Sequence, residues 1–523
     1  MPDVHRRRRT LIGLGIASVL ALAVSLAIDS AGGDDGKPSA SPDTSDGTSD
    51  PDDRDDDGDD DEPEEPEGEF FRTDYEGLSD PAGFRKPYPN ATVEGLLTFR
   101  GNPSRSYYGV GPVPKTTPGI VRQFPDEPMC RESTDLGVTK VWCGMGWTGQ
   151  PTIVEREDRT WAIFGGYDGN LHFMDVDTGQ RILPDVVTGD LIKGTPTIDP
   201  EGYPLVYTGS RDNLLRVVAL DRPGASPVLW QLDSESVQPV KWNDDWDSSP
   251  IVIGDYMIVG SESSRFWVVK LNRSYDAAGL VQVAPQVVFT DEAWDEQVIA
   301  DNGGDQHASV ESSITVVDDV AYFGTSAGLV LGYDLAGLDD GRTPQQVFRF
   351  YTAGDNDASL VADEEGFLYA AAQNDRPQHP RTQEVGQLQK LDPTKPDNPI
   401  VWTFQETTSE GAGLYGTPAV LDDVVIITSA SGRLIGLDRA TGAVLWERTL
   451  GGAAWGSAVV VDDVLLIGDC EETTFHAFDL ANPRVAPPEL WSLDLGGCIE
   501  ATPAVWKGRI YIGSRAGHLY TLE

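Results

Sequence analysis

A short motif recurs along this chain of 523 residues and constrains its fold more than any other feature. Clear copies are Gly-Thr-Pro-Thr-Ile (194–198), Gly-Thr-Pro-Ala-Val (416–420) and Ala-Thr-Pro-Ala-Val (501–505). A typical copy is followed by a turn, a second apolar run, a glycine-containing turn and two further strands, which predicts four short strands per unit. Weaker copies extend the series to eight units, with anchor residues at Pro151, Pro196, Pro250, Ile314, Leu360, Pro418, Ala458 and Pro503.

This repeat predicts an all-β protein, an eight-bladed β-propeller of four-stranded antiparallel blades. A period of about 40–50 residues with four strands is that of a propeller blade, and the longer spacings are loop insertions. The last unit ends at Leu522 after three strands. We predict that an N-terminal strand at Gly119–Phe124 supplies its fourth strand and closes the ring, which leaves no open sheet edge. Trp side chains of the fourth strands are predicted to pack between blades: Trp230, Trp402, Trp446 and Trp491.

The N-terminal region is predicted to anchor the propeller to a membrane. The cluster Arg6–Arg9 precedes Leu11–Ile28, an uncharged run that as a helix would extend about 27 Å, enough to span a hydrocarbon core. Its basic flank predicts a cytoplasmic N-terminus and an extracytoplasmic propeller at the cell membrane. An exported and cleaved chain is the alternative, because Arg8–Ile12 resembles a twin-arginine signal. The predicted domains are a cytoplasmic tail (1–9), a transmembrane signal anchor (10–28), a disordered acidic linker (29–92) and the propeller (93–523).

Charge restricts the partners of the chain. It carries 85 Asp and Glu against 39 Lys and Arg, a formal net charge of −46. Such a surface repels phosphate backbones, so we predict no nucleic acid partner. Residues 30–69 are rich in Asp, Glu, Gly, Ser and Pro, and they can bury too little apolar surface to offset the entropy of ordering.

Two segments resemble a known family. Gly432–Glu447 is similar to the repeat of PQQ-like propellers, the quinoprotein alcohol dehydrogenase-like superfamily. Leu97–Pro103, which contains Phe-Arg-Gly-Asn-Pro, resembles the opening segment common in that group, and Tyr108 and Gly109 follow it. The similarity covers roughly residues 97–523 and implies the propeller fold. The superfamily includes PQQ-dependent dehydrogenases, an outer-membrane assembly lipoprotein and binding modules, so the resemblance does not imply one function.

The implied topology predicts a binding site at the mouth of the central channel. It brings the loops that enter the innermost strands together on one face, where the residue three positions before each anchor forms a ring. Concave mouths with aromatic and convergent polar groups are typical binding sites. The predicted ligand- or partner-binding residues are the ring, Thr148, Lys193, Asp247, Glu311, Asp357, Tyr415, Trp455 and Glu500, with Trp147 and Trp246 beside it.

The same topology bears on the four cysteines. Two disulfides are expected in an exported chain. The implied blades place Cys470 and Cys498 on the mouth face and Cys130 and Cys143 in one loop, which favours the pairs Cys130–Cys143 and Cys470–Cys498. The insertion between Val283 and Val310 is rich in oxygen ligands of the kind that suit Ca²⁺. Acidic surface loops are usually solvated, however, and we predict no metal site among its residues Asp291, Glu292, Asp295, Glu296, Asp301, Asp305 and His307.

No enzymatic machinery can be assigned. PQQ-dependent dehydrogenases of the superfamily stack the quinone on a disulfide of adjacent cysteines and bind Ca²⁺ through Glu and Asn, with an Asp as base. This chain has no adjacent cysteines, and no such triad can be matched, although Asp247, Glu311 and Asp357 could supply oxygens. We therefore predict no catalytic residues, no cofactor, and a propeller that binds an extracytoplasmic protein or small ligand. The alternatives are a PQQ- and Ca-dependent quinoprotein dehydrogenase and a cell-envelope assembly scaffold.

Overall fold

Eight four-stranded β-sheets form the predicted blades, and two of these sheets are extended by a fifth strand. The structure is a computed structural model, and it describes residues 70–135, 137–146, 149–222, 227–407 and 411–523. The predicted all-β, eight-bladed propeller is thus confirmed. The inner three strands of each blade are antiparallel hairpins whose alternating side chains pack against the neighbouring blades. The strands of blades 1 to 4 are Thr152–Arg156, Arg159–Gly165, Asn170–Asp175 and Val186–Val187; Thr197–Ile198, Leu205–Thr208, Leu214–Ala219 and Val228–Asp233; Ile251–Ile253, Tyr256–Ser261, Arg265–Lys270 and Gln286–Glu292; and Thr315–Val317, Val320–Gly324, Leu329–Asp334 and Gln345–Tyr351.

The second half of the ring repeats this plan. Short ribbons and helices decorate the loops between strands. The strands of blades 5 to 8 are Val361–Ala362, Leu368–Ala371, Leu388–Leu391 and Ile400–Phe404; Ala419–Val420, Val424–Thr428, Arg433–Asp438 and Val444–Thr449; Val459–Val461, Val464–Gly468, Thr474–Asp479 and Glu489–Asp494; and Ala504–Trp506, Arg509–Gly513 and Leu519–Leu522. The ribbons pair Cys130–Asp135 with Val138–Cys143, Ser274–Tyr275 with Val281–Gln282, and Gln373–Asn374 with Ala412–Gly413, and the helices are Pro81–Gly83 (3-10), Glu296–Asp301 and Pro380–Val385.

The ring is closed as predicted. Ile120–Phe124 pairs antiparallel with Leu519–Leu522 as the outer strand of blade 8. Two further N-terminal strands were not predicted. Gly95–Leu96 pairs with the innermost strand of blade 1, and Gly109–Val110 pairs in parallel with that of blade 8.

Trp side chains of the fourth strands link neighbouring blades, as predicted. Trp402 and Trp446 are buried, and their indole N–H groups donate to the carbonyls of Arg439 and Pro483 in the next blade along the chain. Trp491 donates to Pro114, which precedes the closing strand. Each Trp therefore satisfies its one polar atom while burying its ring.

Residues 70–92 pack against the propeller rather than continuing the predicted linker. They follow the propeller face that carries the turns between first and second strands. This face lies opposite the predicted channel mouth and is here called the opposite face. The amide of Ser79 donates to Asp318 at 3.0 Å, and the Tyr88 hydroxyl donates to the carbonyl of Val252. Aromatic side chains explain the difference in boundary, because Phe84 and Tyr88 bury apolar surface that the acidic stretch before Phe70 lacks.

The predicted transmembrane segment 10–28 and the linker up to residue 69 lie outside the described residues. Within the described part of the chain, no helix is both long and apolar enough to cross a membrane.

The segment between Gly95 and Val110 plugs the channel from the opposite face. Arg100 and Arg105 are fully buried, and both guanidinium groups donate to main-chain carbonyls. Arg100 reaches Ala458 at 3.0 Å and Pro418 at 2.9 Å, while Arg105 reaches Ile314 at 2.9 Å. The plug thus braces blades on different sides of the channel. Burial without a carboxylate partner lowers the pKa of both arginines from the usual value.

A belt of hydrogen bonds between blades surrounds the channel just above the plug. In each link, the backbone N–H of the residue before an anchor donates to the side-chain oxygen of the equivalent residue in the next blade, at 2.8–3.1 Å. This role explains why the motif carries Ser or Thr before its anchor. The belt, followed from blade 1 to blade 7, consists of Gln150, Thr195, Ser249, Ser313, Ser359, Thr417 and Ser457.

Removing one belt hydroxyl should weaken the contact between two blades. The substitution Ser313→Ala leaves the buried N–H of Ser249 without its acceptor, and we expect the free energy of unfolding to fall by about 1–2 kcal/mol. Urea denaturation measures this change. Ser274→Ala is the matched control, because Ser274 is exposed in a surface ribbon. An equal effect of the two substitutions would contradict the role of the belt.

Candidate functional site

The predicted ring residues come together at the channel mouth, the face that lies across the belt from the plug. Each of them except Glu500 precedes a belt residue by two positions, so the belt fixes where its side chain starts. Predicted Thr148 and Trp147 lie outside the described residues. The described members, here called the mouth ring, are Lys193, Asp247, Glu311, Asp357, Tyr415, Trp455 and Glu500.

Lys193 lies among three buried carboxylates. Its Nζ is 3.0 Å from Asp245 Oδ2, 2.5 Å from Asp247 Oδ2 and 3.3 Å from Glu262 Oε1. Burial opposes the charged form of Lys193, but the three carboxylates raise its pKa well above the usual value, so the ammonium is charged. Arg211 adds a second cation, with its Nε 2.6 Å from Asp245 Oδ2.

These cations do not fully compensate the carboxylates around them. Burial, together with the charges of Asp245 and Glu311, raises the pKa of Asp247 to about 6 despite the ammonium of Lys193. Burial and the same neighbours also raise the pKa of Glu262. The mouth therefore holds excess negative potential at neutral pH.

A second group of carboxylates lies further round the ring, in the segments that lead into blades 4 and 5. Asp357 and its neighbour Asp355 are both buried, and burial raises the pKa of Asp355 to about 8 and that of Asp357 well above the usual value. Burial also opposes the charged form of Glu311, but hydrogen bonding from His307 holds its pKa below the usual value. His307 Nε2 lies 3.6 Å from Glu311 Oε1, and its ring packs 4.1 Å from that of Trp242.

The raised pKa of Asp355 predicts a loss of stability with rising pH. An acid whose pKa is higher in the folded state stabilises the fold fully below its unfolded pKa, near 3.8, and this contribution is lost as the pH rises toward about 8. Asp355 faces Asp357, Asp375, Glu311 and the cation Arg376. We expect Asp355→Asn to reduce the decline in urea-measured stability between pH 5 and pH 8.5 by roughly 1–3 kcal/mol.

The control for that measurement is Asp397→Asn, at an exposed position in an outer turn. It should leave the pH profile unchanged. A wild-type profile that is flat between pH 5 and pH 8.5, or one that Asp355→Asn leaves unaltered, would contradict the prediction.

Aromatic side chains complete the ring. The rings of Tyr415 and Trp455 lie 6.0 Å apart, and both side chains are half-buried. Glu500 accepts a hydrogen bond from Arg515 at 2.6 Å and one from the Tyr167 hydroxyl at 3.4 Å. The mouth therefore combines carboxylates with aromatic faces, a combination that suits cations.

Trp246 is not part of the mouth. Its side chain is buried in the core between blades 2 and 3, 6.0 Å from the ring of Trp267, and its indole N–H donates to Asn213. Consecutive residues of an extended segment point in opposite directions, so Asp247 faces the mouth while Trp246 packs behind it.

Both predicted disulfides are present, Cys130–Cys143 and Cys470–Cys498. The first staples the base of a ribbon at the mouth, where Trp142 packs edge-on against Tyr167 with 5.6 Å between ring centroids. The second lies beside the ring, with Cys498 Sγ 3.9 Å from Glu500 Oε2.

The acidic insertion between blades 3 and 4 is divided between structural roles and the mouth. Asp295 caps the helix Glu296–Asp301 and pairs with Arg349 at 2.7 Å, whereas Asp291 accepts a hydrogen bond from Tyr333. His307 and Asp305 lie closer to the ring, where Asp305 pairs with Arg376 at 3.3 Å.

Several mouth residues were missed in the sequence. They come from the loop before the ring position or from the turn between second and third strands, which also faces the mouth. Polar residues in those turns were the available signal. The missed residues are Trp142, Tyr167, Arg211, Asp245, Glu262, Asp355, Arg376 and Arg515.

The carboxylates Asp245, Asp247 and Glu262 lie close enough together to hold a metal ion. The ammonium of Lys193, however, lies within 3.3 Å of each of them and takes the position that a cation would need. The residues as arranged therefore do not fit a bound Ca²⁺. A second cluster contains Cys470 and Cys498, whose sulfurs are joined in a disulfide and are not free thiolate ligands.

Comparison with known proteins agrees with this architecture. Residues 381–523 match the family model described as PQQ_2, outer membrane protein assembly factor BamB. The C-terminal part of the chain is thus similar to a family of PQQ-like propellers, and the whole chain shares the propeller fold. The quinohemoprotein alcohol dehydrogenase from Comamonas testosteroni shares 12% identity, covering 82% of this chain and 80% of its own, with a TM-score of 0.51. Sqt1 from Saccharomyces cerevisiae shares 11%, covering 78% of this chain and 99% of its own, with a TM-score of 0.52.

BamB from Moraxella catarrhalis shares 14% identity, covering 78% of this chain and 99% of its own, with a TM-score of 0.39. At these identities, likeness to a solved structure shows a fold and no activity. No curated protein sequence matches the chain significantly.

Proposed function

We propose that this PQQ-like propeller is membrane-tethered and extracytoplasmic, and that it binds a protein partner at its channel mouth without catalysing a reaction. The observation that carries the proposal is the position of the mouth ring relative to the plug. The plug closes the channel on one side of the belt, and the carboxylates and aromatic side chains of the mouth ring surround the channel on the other side. Aromatic and convergent polar groups at the mouth of a closed β fold are typical of binding sites.

The path of residues 70–92 is consistent with binding at the mouth. This segment follows the opposite face, where it contacts the turns between first and second strands, so it does not cover the mouth ring. A partner would therefore reach the ring without displacing this segment.

The family description supports recognition of a protein rather than chemistry. The matched model is described as an outer membrane protein assembly factor, a description that names assembly and no chemical reaction. A cell-envelope assembly scaffold is thus a special case of the proposed function. The identity of the partner follows from experiment and not from the family name.

A PQQ- and Ca-dependent dehydrogenase is less consistent with the residues. Lys193 takes the cation position among the buried carboxylates of the mouth. The disulfide beside the ring joins Cys470 to Cys498, 28 positions apart, rather than two adjacent cysteines. We therefore propose that the mouth works without a quinone cofactor.

Site-specific photo-crosslinking in the native membrane tests the proposed function. Benzoylphenylalanine at Val141, which is exposed on the ribbon beside the mouth, should yield a defined crosslinked protein. The same probe at Val444 is the matched control, because that valine has similar exposure on an outer strand. The crosslink should disappear when Trp455→Ala is added. Equal crosslinking from both positions, or a band that Trp455→Ala leaves intact, would contradict binding at the mouth.

A further inference from the structure

The two sides of the mouth differ in how their carboxylates are paired. On one side, Lys193 and Arg211 form salt bridges with Asp245, Lys193 also pairs with Asp247 and Glu262, and Arg515 pairs with Glu500. On the other side, three acids make no salt bridge to any Lys or Arg among the described residues. These acids are Glu311, Asp355 and Asp357.

One carboxylate oxygen on this second side receives no hydrogen bond from an N–H or hydroxyl group of the described residues. Asp355 is 5% exposed, and its Oδ1 atom is buried without a hydrogen bond in the described part of the chain. Its other oxygen lies 3.8 Å from His307 Nδ1, beyond hydrogen-bond distance. A buried acceptor of this kind costs free energy unless a bound donor satisfies it.

An aromatic wall lies next to these three acids. Tyr415 is close enough to Asp355 and Asp357 for their charges, added to burial, to raise the pKa of its hydroxyl. The ring of Trp455 continues the wall 6.0 Å beyond Tyr415. Aromatic faces attract cations by about 0.5–2 kcal/mol. They also make the site selective for the shape of the cation, which carboxylates alone would not do.

The mouth already accommodates a cation of this type across the ring. Lys193 shows that an ammonium group fits among three carboxylates of the mouth at 2.5–3.3 Å. The second side offers the same ligand chemistry, but no Lys or Arg of the described chain forms a salt bridge with its three acids.

We propose that the part of the mouth formed by Glu311, Asp355, Asp357, Tyr415 and Trp455, here called the cation half, binds an ammonium or guanidinium group of the ligand. This inference rests on the proposed binding function and adds the chemistry that the site recognises. The carboxylates would accept the N–H groups of the cation while the aromatic wall packs against its face. The same group could belong to a basic side chain of a protein or to a free organic cation.

Calorimetric titration of full-length protein in detergent tests the proposal with three probes. Acetyl-Gly-Arg-Gly-amide carries the cation on a peptide, ethylguanidinium is a free cation, and acetyl-Gly-Gln-Gly-amide is the neutral control. At pH 8.5 we expect at least one guanidinium probe to bind ten-fold or more tightly than the neutral peptide. Tighter binding of the arginine peptide would indicate a protein side chain, and tighter binding of ethylguanidinium would indicate a small organic cation.

Variants separate a binding role from a structural one. Asp357→Asn should weaken guanidinium binding at least ten-fold, and Trp455→Leu should weaken it several-fold, whereas Asp397→Asn at the exposed outer turn should leave it unchanged. Binding should also weaken as the pH falls from 8.5 to 6, because the carboxyls facing the cation become protonated. These carboxyls are Asp355, Asp357, Asp375 and Glu311, and the cations that face them are His307 and Arg376.

Equal affinity for the arginine and glutamine peptides would overturn the proposal, as would unchanged guanidinium binding in a folded Asp357→Asn variant. The outcome is separable from that of the proposed function. Crosslinking at Val141 without guanidinium binding would retain the partner and reject the cation. Guanidinium binding without a crosslink would retain the cation half and reject a protein partner.

Discussion

Replacing Arg100 with Met should destabilise the propeller by about 3–5 kcal/mol. The guanidinium group donates to the carbonyls of Arg105, Ala458 and Pro418 within 3.0 Å, and the residue is fully buried. Met fills a similar volume but leaves those carbonyls without donors in a place that water does not reach. Urea denaturation of the full-length protein, followed by tryptophan fluorescence, measures the loss.

Two further variants define what Arg100 contributes. Arg100→Lys keeps the charge but lacks the planar set of N–H donors of a guanidinium group. Its loss of stability should therefore lie between those of the wild type and Arg100→Met. Arg342→Met is the matched control, because the side chain of Arg342 is 68% exposed and its removal should change stability by less than about 0.5 kcal/mol. If the free energy of unfolding of Arg100→Met lies within about 1 kcal/mol of the wild-type value, the plug does not brace the blades.

Replacing Lys193 with Met should have an effect of similar size that depends strongly on pH. The substitution leaves Asp245, Asp247 and Glu262 buried without the ammonium that lies within 3.3 Å of each. We expect a loss of about 3–5 kcal/mol at pH 8. Burial and mutual repulsion raise the pKa of such carboxyls in the folded state, so the variant loses stability as the pH rises and regains it at pH 5.

Calcium gives this prediction a second readout. Without Lys193, the three carboxylates lie close enough together to bind a divalent cation, so millimolar Ca²⁺ should restore stability to the variant and not to the wild type. The control is Lys395→Met, which removes an exposed lysine paired with Asp392 and should cost less than about 1 kcal/mol. Equal stability of Lys193→Met at pH 5 and pH 8 would contradict the arrangement of the mouth.

The features that were predictable from the sequence are those that repeat. Eight anchors at blade spacing predicted the eight sheets, and the three-stranded last unit required an outer strand such as Gly119–Phe124. Chain order then constrained the disulfides. Cys130 and Cys143 share one loop, whereas Cys470 and Cys498 face each other across adjacent blades.

The features that were missed depend on segments without a repeat. Arg100 belongs to a segment that occurs once, and nothing in its pattern places a guanidinium group inside the channel. Asp245 and Glu262 precede or follow strands at positions where polar residues usually face solvent. Trp246 shows the sensitivity of such assignments, because one position along an extended chain separates a mouth residue from a core residue.

The most direct test of a recognition propeller without a cofactor is calorimetric titration of PQQ, with Ca²⁺ present, into the full-length protein. Lys193 among the mouth carboxylates and the disulfide between distant cysteines predict flat heats at high protein concentration. Saturable one-to-one binding, at micromolar affinity or tighter, would contradict the account and identify the mouth as a quinone site.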